Sequence, residues 1–291
     1  MPSVGRITRS LLVGVLHAAG LLGVALELGY AVGPAEYTAI GLLWRYGGLV
    51  VVAAVPVWLA LRFRLVVPLL ALVLTTGYVF GMELTPPGPT FHDVAEFERL
   101  DEPTGIIVVE NGLYIVRYMM NASVWLVGFL FAGLVEAVSR SDWRRLPAPP
   151  GLPDWLSPPV SRRQAVSVAA AGGLLHLVVM VWFARRLGVT ITGGYEWVLY
   201  ASSTVGMWLL AAVPLYLLVR HRLVVPATLL TGFIVIDVRS EFAASVEDAH
   251  ALYFGAWFVF LAIFLIGGLV EYGLRQVDSL RRMVSRRGNR H

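Results

Sequence analysis

The chain has 291 residues, 57% of them apolar and only 14% charged, with a net charge of +4. A soluble domain runs at about 45–50% apolar and 25% charged, so this composition excludes the soluble globular class and fits a polytopic membrane protein. There is no cysteine, and all 23 basic residues are arginine. Disulfides, thiolate chemistry, cysteine metal sites, a P-loop and every lysine-based covalent mechanism are therefore excluded.

In chain order, apolar stretches lie at about 10–33, 38–61, 65–84, 112–138, 165–184, 195–219, 223–238 and 250–274. A helix of about 20 residues crosses the hydrocarbon core, so these stretches predict eight spans, the seventh being the tightest fit. The first follows Arg6 and Arg9 like a signal peptide. Its apolar run exceeds the usual 7–15 residues of such a segment, and it reads as a retained span. Residues 141–163 hold six of the sixteen prolines and read as a semi-rigid linker. The tail 279–291 is basic.

The arginines set the orientation. With the N-terminus in the cytoplasm, 17 of the 23 fall on the inner side, among them Arg62, Arg64, Arg140, Arg220, Arg222 and Arg275. The positive-inside rule then places both termini in the cytoplasm of a cell-membrane protein. Arginines gathered in short loops point to anionic lipid headgroups as partners and give nucleic acid no support.

An internal repeat organises the chain. Residues 55–68 (VPVWLALRFRLVVP) and 213–226 (VPLYLLVRHRLVVP) are identical at nine of fourteen positions, an offset of 158. His17 matches His176 with one residue of slippage, Tyr37 matches Tyr195, and Glu83 matches Glu241. In the fourth span the offset changes to 135, pairing FLFAGLVEAVSR (129–140) with FLIGGLVEYGLR (264–275). Four spans per repeat is an even number, so both halves enter the membrane in the same direction. The predicted fold is an all-α membrane protein of two parallel four-helix repeats, 1–140 and 164–278.

The change of offset leaves 23 extra residues in the first half, inside an acidic outer loop at 85–111. There Thr90 is followed three residues later by Asp93, a capping-box pattern, with Phe91, Val94, Phe97 and Leu100 along one side. This predicts a short amphipathic helix on the outer surface, and makes loop 85–111 the candidate surface for a protein partner.

Ionisable groups within spans are costly in lipid and mark sites or structural pairs. His17 and His176 occupy matching positions, where two imidazoles suit haem ligation, a metal pair or a proton relay, or simply duplicate one internal hydrogen bond. Toward the outer face lie Glu27, Glu83, Arg117, Asn121 and Asp237, which read as a candidate substrate site or as an interhelical ion pair. Arg117, about one and a half turns into the fourth span, calls for a carboxylate partner, Glu83 first and Glu27 second. Pro56 and Pro214, repeated inside spans two and six, predict kinks that free carbonyls to line a cavity. Glu136 with Arg140 and Glu271 with Arg275 are i,i+4 pairs that need no function.

No HExxH, GxSxG or Gly-rich phosphate loop is present, so no enzymatic machinery is visible and no resident cofactor or metal is expected. These features favour a transporter or permease component for a small solute or ion, with its site between the repeats, driven by an ion gradient or a separate subunit. A membrane scaffold or accessory subunit is the alternative, and a haem or metal redox protein using His17 and His176 a second.

Overall fold

The computed structural model describes residues 2–88, 90–93, 106–109, 112–142, 149–151, 160–186, 193–240 and 253–288. Nine helices run through them: α1 Pro2–Glu27, α2 Ala39–Phe63, α3 Val67–Leu84, α4 Tyr114–Met120, α5 Ala122–Asp142, α6 Arg162–Arg186, α7 Gly194–His221, α8 Val225–Ser240 and α9 Trp257–Gly288. A single 3₁₀ turn, Pro34–Glu36, precedes α2.

Seven of these helices are long and apolar enough to cross a membrane: Val4–Glu27, Ala39–Phe63, Val67–Leu84, Ala122–Ser141, Arg162–Trp182, Trp197–His221 and Trp257–Val277. The remaining expected span, α8, has 16 residues, about 24 Å of helix, and its apolar part is Val225–Asp237. Large apolar side chains face outward along many helices, with Leu16 62%, Leu74 72% and Leu269 69% exposed. Such continuous apolar surface belongs in lipid, not water.

Local chemistry sets the helix ends. Thr38 starts α2, its hydroxyl accepting from the Gly41 N–H at 3.2 Å. Ser161 and Gln164 form a capping box at α6: the Gln164 N–H donates to Ser161 Oγ at 3.2 Å, and the Ser161 N–H donates to Gln164 Oε1 at 3.1 Å. α2 stops where Arg64 turns left-handed, with φ of 56°, and α7 is followed by the same turn at Arg222, with φ of 59°. A left-handed non-glycine residue costs about 1–2 kcal/mol, and these turns occupy positions 158 residues apart in the repeated sequence. α3 and α8 carry Pro68 and Pro226 in the first turn, where the missing N–H has no partner to lose.

The chain divides into two compact units, residues 1–133 with 234–251, and residues 134–233 with 252–291. In the first, α1 lies against α2, α2 against α3, and α4 against all three. In the second, α7 lies against both α6 and α9. Glycines permit the closest approaches. A Cβ on Gly133 would stand 3.0 Å from Pro68 Cγ and 3.5 Å from Leu59 Cδ1, and one on Gly268 would stand 3.0 Å from Pro226 Cγ and 3.8 Å from Leu217 Cδ1.

Two expectations change. The segment from Thr90 does not start a helix: Thr90–Asp93 is a strand paired antiparallel with Ile106–Val109, Thr90 opposite Val109 and Asp93 opposite Ile106. Four consecutive β-branched residues at 106–109 offer a strand partner that overrides a weak capping pattern. Residues 94–100 of the expected helix lie outside the described residues. The fourth span is also not one helix, because it turns at Asn121 between α4 and α5, and the eighth turns likewise at Ala256, between helical residues 253–255 and α9.

Candidate functional site

Two histidines sit at the centre of matching arrangements, one in each unit. In the first, His17 of α1 places Nδ1 3.2 Å from the Leu49 carbonyl oxygen and Nε2 3.1 Å from Thr76 Oγ1. The Tyr118 ring meets the imidazole edge-on at a centroid distance of 5.9 Å. In the second, His176 of α6 places Nδ1 2.7 Å from the Met207 carbonyl and Nε2 3.0 Å from Tyr253 Oη. Tyr253 meets it edge-on at 6.0 Å. Leu49 and Met207 are 158 residues apart, and Tyr118 and Tyr253 are 135 apart, the two offsets of the sequence repeat.

A carbonyl only accepts, so in the neutral ring Nδ1 carries the proton and Nε2 accepts from the hydroxyl. Both nitrogens of both rings are thus engaged, and metal or haem ligation would cost each ring a hydrogen bond. Among the described residues, no group of three or more His, Cys, Asp or Glu side chains comes together to hold a metal ion.

The arrangements differ in how they end. In the second unit the tyrosine hydroxyl closes directly on the histidine. In the first, Thr76 takes that position. The hydroxyl of fully buried Tyr118 neighbours Thr76 but completes no hydrogen bond among the described residues, and neither does Oδ1 of Asn121, which is 2% exposed. The Asn121 N–H donates to the Arg117 carbonyl, and the Asn121 carbonyl accepts from Val124 and Trp125, so the chain turns there without losing its main-chain bonding.

Glu83, at the end of α3, is buried. Its Oε1 accepts from the Tyr30 hydroxyl and its Oε2 from the Ile115 N–H at 2.7 Å. It therefore caps α4 from another helix, a service that Leu113, left-handed at φ 62°, does not perform. Burial, and after it the bond to Glu83, pushes the Tyr30 phenol above its ordinary range. Arg117 is half-buried, its guanidinium carbon 6.0 Å from the centre of the Tyr114 ring.

Glu27 ends α1 and is exposed, and Asp237 is buried near the end of α8. Pro56 and Pro214 are buried inside uninterrupted helices. Glu136 and Glu271 bond Arg140 and Arg275 at 3.1 and 2.7 Å, and Glu271 also accepts from the first N–H of α8, Val225, at 2.8 Å.

Sequence reasoning paired the histidines and singled out Asn121 and Glu83, but missed Tyr118, Tyr253, Thr76 and Tyr30. Extending the 135 offset eleven residues back from Phe129 would have aligned the two tyrosines. No known protein family, curated protein or solved structure matches this chain.

Proposed function

We propose that the chain is a cell-membrane protein of eight spans in two parallel four-helix repeats, with both termini cytoplasmic, that passes a small polar solute or ion. Matching contacts around His17 and His176, around Gly133 and Gly268, and at the turns of Arg64 and Arg222 support the duplication. The bias of arginines to one set of loops supports the orientation and assigns anionic lipid headgroups to them.

The observation that carries the functional reading is the polar residue at the break of the fourth span: Asn121 stands there, three residues after the Tyr118 that meets His17, whereas the matching break in the eighth span falls at Ala256. Discontinuous helices at membrane depth are where transporters build their sites, and buried polar groups there are expensive unless used. The working site then lies within the first repeat rather than between the two. Arg117 and Glu83 form its outer surroundings, with Glu83 holding α4 in place.

The test is flux into liposomes carrying the purified chain. A trapped pH dye reports protons, and osmotic swelling reports water, urea, glycerol and ammonium. Permeation above that of protein-free liposomes for at least one probe is expected. A barrier as tight as bare lipid to all of them overturns the reading.

A further inference from the structure

The two repeats match in sequence, yet at matching positions their side chains are bonded differently. In the second, His176 Nε2 is satisfied by Tyr253 Oη at 3.0 Å. The residue matching Thr76 is Ile234, and the residue matching Asn121 is Ala256. In the first, Thr76 satisfies His17 at 3.1 Å. Its single proton is spent there, leaving it only lone pairs to offer. Tyr118 Oη and Asn121 Oδ1, one helical turn apart on the same face, are both shut off from solvent and complete no hydrogen bond with any described residue.

Buried polar atoms in a membrane core are normally paired. Two such atoms three residues apart in one repeat, where the other closes its tyrosine on the histidine and carries Ala256 in place of the asparagine, are the mark of a place kept for a guest. We infer that Tyr118 and Asn121, backed by Thr76 and His17, bind one small neutral hydrogen-bonding molecule in the first repeat. It donates to Asn121 Oδ1 and exchanges a hydrogen bond with the Tyr118 hydroxyl. Water meets that requirement, as does the hydroxyl or amide of a small solute. An anion does not, because Asn121 Oδ1 and the Thr76 lone pairs present acceptors. This deepens the transport reading by naming its site and the class of molecule that occupies it.

The experiment is an electron cryomicroscopy structure of the full chain in lipid nanodiscs, resolved well enough to show ordered water. It is determined in plain buffer and again with urea or glycerol added, alongside the variants Tyr118→Phe and Asn121→Ala. Density bridging Tyr118 Oη and Asn121 Oδ1 is expected in the native chain, and is lost in both variants while the His17–Thr76 bond remains. Its presence in plain buffer identifies water; its appearance only with additive identifies the solute. A direct Tyr118–Asn121 or Tyr118–Thr76 hydrogen bond with no density between overturns the inference. Density without flux in liposomes keeps the site and removes transport; flux without density does the reverse.

Discussion

Tyr253 closes on His176 with a 3.0 Å hydrogen bond to Nε2, while the Met207 carbonyl holds Nδ1 at 2.7 Å. The imidazole is wholly buried, so these two bonds define its tautomer and tie α6 to α7 and to the helical residues 253–255 that precede α9. That makes it a latch closed by the tyrosine itself, whereas the copy at His17 is closed by Thr76 and leaves the Tyr118 hydroxyl over.

Removing the Tyr253 hydroxyl therefore leaves a buried ring nitrogen without its donor. Tyr253→Phe is expected to cost about 1–3 kcal/mol, the penalty for an unsatisfied buried polar group. Tyr118→Phe deletes a hydroxyl that neighbours Thr76 but completes no hydrogen bond among the described residues, and its cost is expected to be below that. Denaturant unfolding of both variants in the same detergent checks the order, and equal losses would show that the latches do not differ.

Glu83 should act on α4 through its capping of Ile115. Glu83→Ala exposes a buried N–H with no acceptor and is expected to cost about 1–3 kcal/mol, whereas Glu83→Gln keeps one amide oxygen and costs less. Hydrogen exchange at Ile115 reports the cap directly, with faster exchange expected in Glu83→Ala than in Glu83→Gln.

The same contact carries a pH dependence. Folding raises the Tyr30 phenol from its ordinary value of 10.0, because burial and the bond to Glu83 both favour the neutral form. The stabilising contribution is therefore complete below about pH 10 and is lost as the pH rises above it, where the unfolded chain releases the proton first. Tyr30→Phe should flatten that alkaline loss, as measured by unfolding between neutral and alkaline pH.

Gly133 and Gly268 test the duplication. Each admits a proline ring at 3.0 Å from where a Cβ would sit. Gly133→Ala and Gly268→Ala should each cost about 1–3 kcal/mol through overpacking. Gly23→Ala, with nothing within 4 Å of its Cβ position, should be neutral or slightly stabilising. Thermal unfolding of the three variants in one lipid mixture reads the difference.

What was legible in the sequence was what periodicity and apolar length encode. The apolar stretches become helices, and the offset of 158 carries over to Leu49 and Met207, to the turns at Arg64 and Arg222, and to Pro68 and Pro226. Side-chain partners across helices were less legible, because they depend on rotation and depth that no one-dimensional pattern fixes. Thus Glu83, expected to pair with Arg117, gives its two oxygens to Tyr30 and the Ile115 N–H. A similar limit applies to capping. The pattern from Thr90 predicts a cap but forms strand, whereas Ser161 with Gln164 forms the capping box. The second precedes a long apolar run and the first does not. The break at Asn121 leaves no proline or glycine signature at all.

The central claim is that the first repeat, and not the second, holds the working polar site. Flux in liposomes carrying Thr76→Ile, set beside Ile234→Thr, tests it most directly, since the first substitution gives the first repeat the apolar residue of the second. Thr76→Ile is expected to fall to the rate of protein-free liposomes while Ile234→Thr keeps the native rate. Unchanged flux in Thr76→Ile, from protein shown by its unfolding curve to be folded, would contradict it.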